Sequence, residues 1–292
     1  MTTQYIAENI WEDRSSPQAL IVEGGAMRGV FSTGVLDGFL EARFNPFDLC
    51  VGVSAGAANM AAFLAEMPQR NLKIYTDYSL RPQFINFWRF LRGGHLMDLD
   101  WLWDITIEEI RLDLKTIFAS GKCFVVCLTD VATGQALYKH PHSGDLEDIL
   151  KASSALPILY RGFPLIDGHP AVDGGIADPI PVRQALKMGA RKIMVIRSRP
   201  KSYEKKEKFS QAIMLNKMKP FPALSQAISY RIKRYNEAVS LIRNPPSCVS
   251  ITEICPPENF KPGRLGKNKK VLMEGYEQGR NISREAMEAW AR

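Results

Sequence analysis

A serine between two glycines is the side chain in this sequence whose setting best suits covalent chemistry. The stretch Gly52–Gly56 reads Gly-Val-Ser-Ala-Gly, with an apolar run before it and a run of small residues after it. This G-x-S-x-G pattern is typical of a sharp strand-to-helix turn that exposes its serine oxygen, here that of Ser54, and its glycines leave room for neighbouring backbone. The pattern is common, so an incidental serine in a glycine-rich turn is the alternative interpretation.

A second glycine-rich turn comes earlier in the chain, from Glu23 to Gly29, and reads Glu-Gly-Gly-Ala-Met-Arg-Gly. One interpretation is a dinucleotide-binding turn, as in a nucleotide-dependent oxidoreductase. However, Ala26 breaks the G-x-G-x-x-G pattern, and the acidic residue expected about 20 residues further on is missing. The other interpretation is that its N–H groups face an oxyanion beside Ser54, while Arg28 adds a fixed positive charge.

A serine nucleophile needs a base that takes its proton, and the sequence offers two kinds of candidate. Of the four histidines, none lies in a strand-end turn rich in small residues, and a long stretch of chain follows the last one, His169. Asp173 follows a short apolar run and precedes two glycines, so its carboxylate is expected at a strand end with little steric cover. A turn aspartate that bonds only its own backbone is the alternative, and His169 remains a rival base.

Together these blocks resemble the patatin-like phospholipase family, and the resemblance covers residues 19–197. The family combines a G-G-x-x-[RK]-G loop, a G-x-S-x-G serine and a D-G-[GA] aspartate, which here are Gly24–Gly29, Gly52–Gly56 and Asp173–Gly175. A fourth block, Ala152–Pro157, is similar to the family's A-S-x-A-x-P block.

The sequence departs from the family pattern at two positions of the first glycine-rich loop. Glu23 stands where many members have aspartate, and Ala26 stands where many members have glycine. Because an alanine N–H still donates a hydrogen bond, the second departure narrows the loop without removing its expected role.

The resemblance implies an α/β fold, a three-layer α/β/α sandwich around a central, mostly parallel sheet. It also implies a serine acyl hydrolase of phospholipase A type, which cleaves carboxylic esters of lipids by a Ser–Asp dyad through an acyl-enzyme. Ser54 is then the nucleophile and Asp173 the proton acceptor. The other predicted site residues are the oxyanion hole of Gly24, Gly25, Ala26 and Ala55, the anion or headgroup contact Arg28, and the motif glycines Gly29, Gly52, Gly56, Gly174 and Gly175.

The elements that must position these groups are predicted from the alternation of apolar runs and helical patterns. Strands over 19–22 and 47–53, each followed by a helical pattern, form a βαβα opening that predicts a parallel sheet with right-handed crossovers. Further strands are predicted over 122–129, 136–140, 192–197 and 248–254, with a hairpin around Gly168. Asp178 is predicted to cap the helix that ends near Met188.

The chain divides into an N-terminal extension (1–18), a catalytic unit (19–197) and a C-terminal extension (198–292) that is expected to pack on the same domain. Residues 71–116 read as a helical insertion rich in aromatic side chains. They form either an apolar wall that binds an acyl chain or touches lipid, or a small core of their own. In the C-terminal part, two helices are predicted over 209–241, interrupted near residues 220–222, and another over 271–291.

The charge distribution bears on partners, because 38 basic side chains exceed 31 acidic ones and the net charge is +7. The excess lies mainly in 197–219 and 231–270, where it indicates either contact with an anionic membrane or, as favoured here, a solvated face. Basic residues interleave the helical apolar pattern of 224–242, and packing of that helix on the sheet is favoured over membrane contact. No nucleic-acid motif is present, so the expected partner is a lipid or another acyl ester.

The cysteines and the N-terminus predict a cytoplasmic protein, peripheral at the inner membrane face if it binds lipid. The five cysteines form no C-x-x-C pair, and four of them, in apolar runs, are predicted to be buried: Cys50, Cys123, Cys127 and Cys248. No secretory signal or membrane span is recognised. Histidines, cysteines and carboxylates lack metal-ligand spacing, so no metal or cofactor is expected. A catalytically silent lipid- or partner-binding module of the same fold is the alternative function.

Overall fold

Short apolar runs form the strands of a central sheet. The computed structural model describes residues 16–207 and 209–292, so most of the predicted N-terminal extension lies outside the described residues. Within them the sheet has eight strands, which are β1 (Gln18–Val22), β2 (Leu49–Val53), β3 (Cys123–Asp130), β4 (Ala136–Lys139), β5 (Leu165–Ile166), β6 (His169–Asp173), β7 (Lys192–Ile196) and β8 (Ser250–Ile254).

Several helices begin at a residue whose side chain caps their first turn. Asp98 and Asn268, for example, accept the N–H groups of Trp101 and Val271, and Pro222 opens a helix at its first position. The helices of the described residues are α1 (Val30–Glu41), α2 (Ala55–Leu64), α3 (Arg70–Thr76), α4 (Phe87–Leu91), α5 (Leu99–Ile110), α6 (Leu114–Ala119), α7 (Leu146–Ser154), α8 (Val182–Lys187), α9 (Phe209–Lys217), α10 (Pro222–Arg243) and α11 (Lys269–Ala291).

The sheet is mostly parallel, which confirms the predicted fold class. Its order is β5-β6-β3-β2-β1-β7-β8, and β4 pairs with β3 outside this path. Strands β3, β2, β1, β7 and β8 run parallel, whereas β4 and β6 are antiparallel to β3 and β5 is antiparallel to β6. Because β6 is antiparallel to β3, the ends of strands β2 and β6 meet at one edge of β3.

Helices cover both faces of the sheet, because alternate side chains of each central strand point to opposite sides. In β1, Leu20 and Val22 join a core with α1, α2, α7 and the end of α11. Ala19 and Ile21 join a second core with α8 and α10. The apolar side of α10 is thus buried against the sheet, as favoured from the sequence. No helix in the described part of the chain has the length and apolarity to cross a membrane.

The C-terminal segment completes both the sheet and one helical layer. Strand β8 pairs with β7, and α11 lies against α1 at very short range. A methyl group at Gly34 would come 2.0 Å from the carbonyl oxygen of Tyr276, and one at Gly279 would come 2.1 Å from that of Phe31. The Tyr276 hydroxyl also donates a hydrogen bond to Asp37 on α1, at 3.0 Å.

Two local predictions were wrong. Asp178 does not cap α8, whose N-cap is Pro181; its carboxylate instead accepts the hydroxyl of Tyr138 at 2.6 Å. Cys248 is exposed, because β8 begins only at Ser250 and the preceding residues form a turn at the surface.

Candidate active site

Strands β2 and β6 end against each other along the same edge of β3. Val53, the last residue of β2, is paired with Cys127, and Asp173, the last residue of β6, is paired with the next residue, Leu128. Strand β4 occupies the other edge of β3 over the same stretch. The chain therefore brings Ser54 and Asp173 into contact, although 119 positions separate them in sequence.

The serine and the aspartate form a direct hydrogen bond. Ser54 Oγ donates to Asp173 Oδ2 at 2.8 Å, and both side chains are buried. The other carboxylate oxygen, Oδ1, accepts the N–H of Gly175 at 2.8 Å. Thr129 Oγ1 donates to the carbonyl oxygen of Asp173 at 2.9 Å and so holds its backbone. The carboxylate is thus oriented as an acceptor towards the serine hydroxyl.

The turn that presents Ser54 has an unusual backbone conformation and depends on close packing at its two glycines. Ser54 has φ 54° and ψ −131°, a region that side-chain-bearing residues rarely adopt. A methyl group at Gly52 would lie 2.4 Å from the Cα of Ala57, and one at Gly56 would lie 2.4 Å from the carbonyl oxygen of Val22. These contacts agree with the steric role predicted for both glycines.

Ser153 holds this turn in place, a role that reasoning from the sequence missed. Its hydroxyl accepts the N–H of Ser54 at 2.9 Å and donates to the carbonyl oxygen of Cys127 at 2.7 Å. Ser153 is fully buried and lies at the end of α7, within the block Ala152–Pro157. The motif was visible in the sequence, but its contact with Ser54 depends on how α7 packs against β3.

The loop predicted to form the oxyanion hole lies directly against Ser54. A methyl group at Gly24 would come 2.8 Å from Ser54 Cβ, and Ser198 Oγ donates to the carbonyl oxygen of Gly24 at 2.9 Å. In the described part of the chain, no hydrogen bond occupies the N–H groups of Gly25 or Ala26. Ala55 begins α2, so its N–H also lacks an acceptor within the helix.

Two further motif glycines, Gly29 and Gly174, are also sites of close approach. A methyl group at Gly29 would come 2.3 Å from the hydroxyl of Tyr75, and one at Gly174 would come 2.1 Å from the carbonyl oxygen of Cys127. Ala26 itself has φ 48°, a left-handed conformation that a glycine would adopt with less strain. The departure from the family pattern at this position therefore has a local structural cost.

Two clefts meet at Ser54, and they differ in chemical character. One, here named the apolar cleft, spans about 720 Å³ when the space open to solvent at its mouth is included. The predicted insertion supplies much of its wall, including Ile74, Phe84, Met97, Leu99, Leu102 and Trp103. Phe84, Met97 and Leu99 also pack with Ala155 and Tyr160 in a small core. The insertion thus provides an apolar wall and also packs in a small core that it shares with residues outside it.

The second, here named the basic cleft, spans about 670 Å³ when the space open to solvent at its mouth is included, and both Ser54 and Asp173 line it. Its cationic side chains, here named the cationic cluster, are Arg28, Arg199, Lys205, Arg231 and Arg264. Four of these come from the C-terminal segment, where the sequence analysis favoured a solvated face, and for these four that interpretation was wrong. Burial lowers the pKa of both Arg28 and Arg231 to about 10.

None of the four histidines lines either cleft. His169 is exposed and begins β6, about 13 Å along the strand from Asp173. His95 stacks on the ring of Tyr160 with centroids 4.3 Å apart, and His142 faces Asp145. The geometry therefore gives no support to His169 as the base. Within the described residues, no group of three or more histidine, cysteine or carboxylate side chains is arranged to hold a metal ion.

The fold and the site together define an α/β/α protein with a Ser–Asp pair on a strained strand-to-helix turn. Residues 20–186, more than half of the chain, match the family model of patatin-like phospholipases, and the chain belongs to that family. Residues 221–292 match a domain of unknown function, DUF6363.

Two similar proteins extend this comparison beyond the family models. The chain is 36% identical over 270 residues to the uncharacterized protein YjjU of Escherichia coli (strain K12), which covers 91% of this chain and 76% of that protein. The crystal structure of VipD from Legionella pneumophila matches with a TM-score of 0.50 and 12% identity, over 94% of this chain and 67% of VipD, and supports the fold.

Proposed function

We propose that this protein is a lipid acyl hydrolase that cleaves carboxylic esters by attack of Ser54, with Asp173 as the base. Membership of the patatin-like phospholipase family supports a lipid hydrolase. The observation that carries the finer proposal is the 2.8 Å hydrogen bond from Ser54 Oγ to Asp173 Oδ2 at the junction of the two clefts.

In the proposed reaction, Ser54 Oγ attacks the ester carbonyl carbon while Asp173 takes the hydroxyl proton. The N–H groups of Gly25, Ala26 and Ala55, together with the loop at Gly24, donate hydrogen bonds to the carbonyl oxygen and stabilise the negative charge that develops on it. The C–O bond then breaks, and Asp173 returns the proton to the leaving alcohol. A water molecule, deprotonated by Asp173, attacks the acyl-enzyme; the carboxylic acid leaves and Ser54 regains a proton.

The two clefts suggest how a lipid ester is oriented at Ser54. Because the apolar cleft is lined by insertion residues such as Phe84 and Trp103, the acyl chain fits there. The alcohol portion then extends into the basic cleft beside Asp173 and Arg28. Ser54 and Ala26 line both clefts, so the scissile ester lies at their junction.

The mechanism is tested with p-nitrophenyl esters and a fluorophosphonate label. We expect Ser54→Ala to abolish hydrolysis and labelling, and Asp173→Asn to reduce turnover nearly as much, whereas His169→Ala serves as the matched control with unchanged activity. Circular dichroism checks that each variant is folded. Retained hydrolysis in Ser54→Ala would refute the mechanism. A wild-type protein that neither hydrolyses esters nor takes the label would favour the catalytically silent module.

We also propose that α4 brings the apolar cleft to an anionic lipid surface. Three large apolar side chains on this helix are exposed: Phe87 by 61%, Trp88 by 70% and Leu91 by 59%. Such a cluster is unusual on a surface that faces only water. The segments on either side of α4 are joined by a hydrogen bond from Asn86 N–H to the Leu96 carbonyl oxygen at 3.0 Å, and the adjacent residues Phe84 and Met97 line the apolar cleft.

Basic residues near this cluster complement an anionic lipid surface. The exposed Arg92 directly follows α4, and the guanidinium of Arg161 lies 4.7 Å from the ring centroid of Phe90, whereas Arg89 is already paired with Asp98 at 3.2 Å. We expect Trp88→Ser to reduce co-sedimentation with phosphatidylglycerol-containing vesicles, while Tyr230→Ser, an exposed aromatic residue on α10, leaves it unchanged. Equal vesicle binding of wild type and Trp88→Ser would refute the contact.

A further inference from the structure

The cationic cluster converges on one side of the Ser–Asp pair from four separate segments. Arg28 belongs to the glycine-rich loop, and Arg199 and Lys205 follow β7. Arg231 lies on α10, and Arg264 lies in the loop before α11. All five side chains line the same cleft as Ser54 and Asp173, so the C-terminal segment supplies most of the positive charge at the site.

The protein itself does not neutralise these charges. In the described ranges, no carboxylate oxygen lies within 4.0 Å of a cationic nitrogen of the cluster. Glu23 also lines the cleft, but its Oε2 accepts the N–H of Ser198 and faces the buried Arg197, whose Nε is 3.8 Å away. Asp173 is already bonded to Ser54 and Gly175. Five cations thus face two carboxylates that already have partners.

The cationic groups are held in place by aromatic rings and backbone rather than by counter-charges. The Lys205 ammonium lies 4.8 Å from the ring centroid of Tyr235, and the Arg199 guanidinium lies 4.5 Å from that of Tyr203. Arg231 Nε donates to the carbonyl oxygen of Gly175 at 2.6 Å. Arg28 is buried, and its Nε has no hydrogen-bond partner.

This arrangement costs stability, which points to a ligand that removes the cost. Buried cations without partners are unfavourable, and like charges in one cleft repel each other. Burial, with the neighbouring Arg231 and Arg264, holds the pKa of Lys205 well below its usual range, and Arg199 and Arg264 act in the same direction on the pKa of Arg28. An anion in the cleft would relieve these repulsions, and guanidinium groups bind phosphate with several hydrogen bonds.

We propose that the cationic cluster binds the phosphate of a substrate whose alcohol portion carries a phosphomonoester, so that the protein prefers anionic acyl glycerophosphates to zwitterionic or neutral acyl esters. This inference rests on the proposed ester hydrolysis at Ser54. A choline or ethanolamine headgroup would place its own positive charge among five cations, whereas a phosphomonoester presents up to two negative charges to them. The products are a fatty acid and a phosphorylated alcohol.

The test compares three substrates that share one acyl chain: a monoacylglycerol, its 3-phosphate and its phosphocholine derivative, assayed by release of free fatty acid. We expect kcat/KM for the 3-phosphate to exceed that for the other two by about tenfold or more, since hydrogen bonds to charged groups are the strongest class. Raising the salt concentration should narrow this ratio. Hydrolysis of all three at similar rates would overturn the inference and leave the proposed function intact, whereas failure to hydrolyse any ester would overturn the proposed function.

Variants test which side chains of the cationic cluster produce the preference for the 3-phosphate. Arg199→Gln and Arg264→Gln are suited to this test because neither side chain donates a hydrogen bond within the described structure. We expect each to lower the ratio of kcat/KM between the 3-phosphate and the monoacylglycerol by about tenfold. Lys233→Gln, on the exposed side of α10 and paired with Glu237, is the matched control and should keep the wild-type ratio. An unchanged ratio in both arginine variants would refute the assignment.

A final arm distinguishes a lipid headgroup from free phosphate. Inorganic phosphate should inhibit hydrolysis of p-nitrophenyl butyrate competitively in the wild type, and less in Arg264→Gln. Inhibition by phosphate without any preference among the three lipids would assign the cluster to a free anion and overturn the headgroup proposal.

Discussion

Replacing Ser54 by glycine is expected to relieve the backbone strain that the catalytic turn stores. With φ 54° and ψ −131°, Ser54 lies in a region that glycine enters freely. Such a conformation costs other residues about 1–3 kcal/mol. Ser54→Ala and Ser54→Gly both remove the hydroxyl and its bond to Asp173, so the difference between the two variants isolates the backbone.

The size of that difference follows from three contributions. Relief of strain favours glycine by about 1–3 kcal/mol, whereas the greater freedom of the unfolded glycine chain opposes it by about 0.4–1 kcal/mol. Loss of one buried methyl group opposes it by a further ~0.8 kcal/mol. We therefore expect Ser54→Gly to be about 0.5 kcal/mol more stable than Ser54→Ala. At Ala61, buried in α2, no strain is relieved, and Ala61→Gly should cost about 1.5 kcal/mol.

Urea unfolding followed by circular dichroism measures all four proteins, with the wild type as reference for Ala61→Gly. A difference of 1 kcal/mol corresponds to a shift in Tm of about 2–4 °C for a chain of this size, so thermal unfolding provides a second reading. The alternative result is that Ser54→Gly has a lower free energy of unfolding than Ser54→Ala, by the same amount that Ala61→Gly loses relative to the wild type. That result would show that the turn stores no backbone strain.

Three further predictions concern positions around the site. Ser153→Ala leaves the buried N–H of Ser54 and carbonyl of Cys127 without their partner, and should cost about 1–3 kcal/mol in urea unfolding and lower kcat. Burial raises the pKa of Asp37 to about 6, so the folded state binds this proton more tightly than the unfolded state does. The favourable contribution of protonated Asp37 to the free energy of unfolding is therefore present below pH 4 and is lost as the pH rises through 6. Asp37→Asn should thus gain about 2–3 kcal/mol relative to the wild type between pH 4 and pH 8, measured by urea unfolding. Lengthening the acyl chain of p-nitrophenyl esters from acetate to hexanoate should raise kcat/KM up to about fourfold per methylene, as the apolar cleft fills.

Each of these has an outcome that contradicts it. Ser153→Ala with wild-type stability and kcat would show that the bridge to the turn is unimportant. A stability difference for Asp37→Asn that does not change with pH would mean that this carboxyl titrates alike in the folded and unfolded chain. A flat dependence on acyl-chain length would place the chain outside the apolar cleft.

The sequence was sufficient to predict the parts of the site that depend on local geometry. Apolar runs gave β1 and β2, and the steric demands of a strand-to-helix turn identified Ser54 between its glycines. The mostly parallel sheet followed from the alternation of strands and helices in the first third of the chain. These features involve residues close in sequence, where periodicity and glycine placement limit the possible structures.

The contact between the ends of β2 and β6 could not be predicted from local sequence patterns. It depends on antiparallel pairing of β6 with β3 beyond the end of β2, a long-range choice that no local pattern specifies. The resemblance to a family, rather than geometry, therefore linked Asp173 to Ser54 in the sequence analysis. The role of Ser153 was hidden for the same reason, because its two partners lie on β3 and after β2.

The basic cleft was partly recognisable from helical spacing. Arg231 lies three residues after Ile228 and four before Tyr235, both of which are buried, so it shares the inward side of α10. That position was a sign that this arginine faces the protein interior. For Arg199, Lys205 and Arg264, which lie in loops, no such periodicity exists, and the fold alone reveals where they converge.

Because β2 and β6 pair with the same edge of β3, the spacing of residues along β3 sets the distance between Ser54 and Asp173. Consecutive residues, Cys127 and Leu128, fix the ends of the two catalytic segments one peptide unit apart, about 3.8 Å. Intervening loops can therefore lengthen or shorten during evolution without moving the nucleophile from its base. A single residue inserted between those two positions would separate them, however well the rest of the molecule still folds.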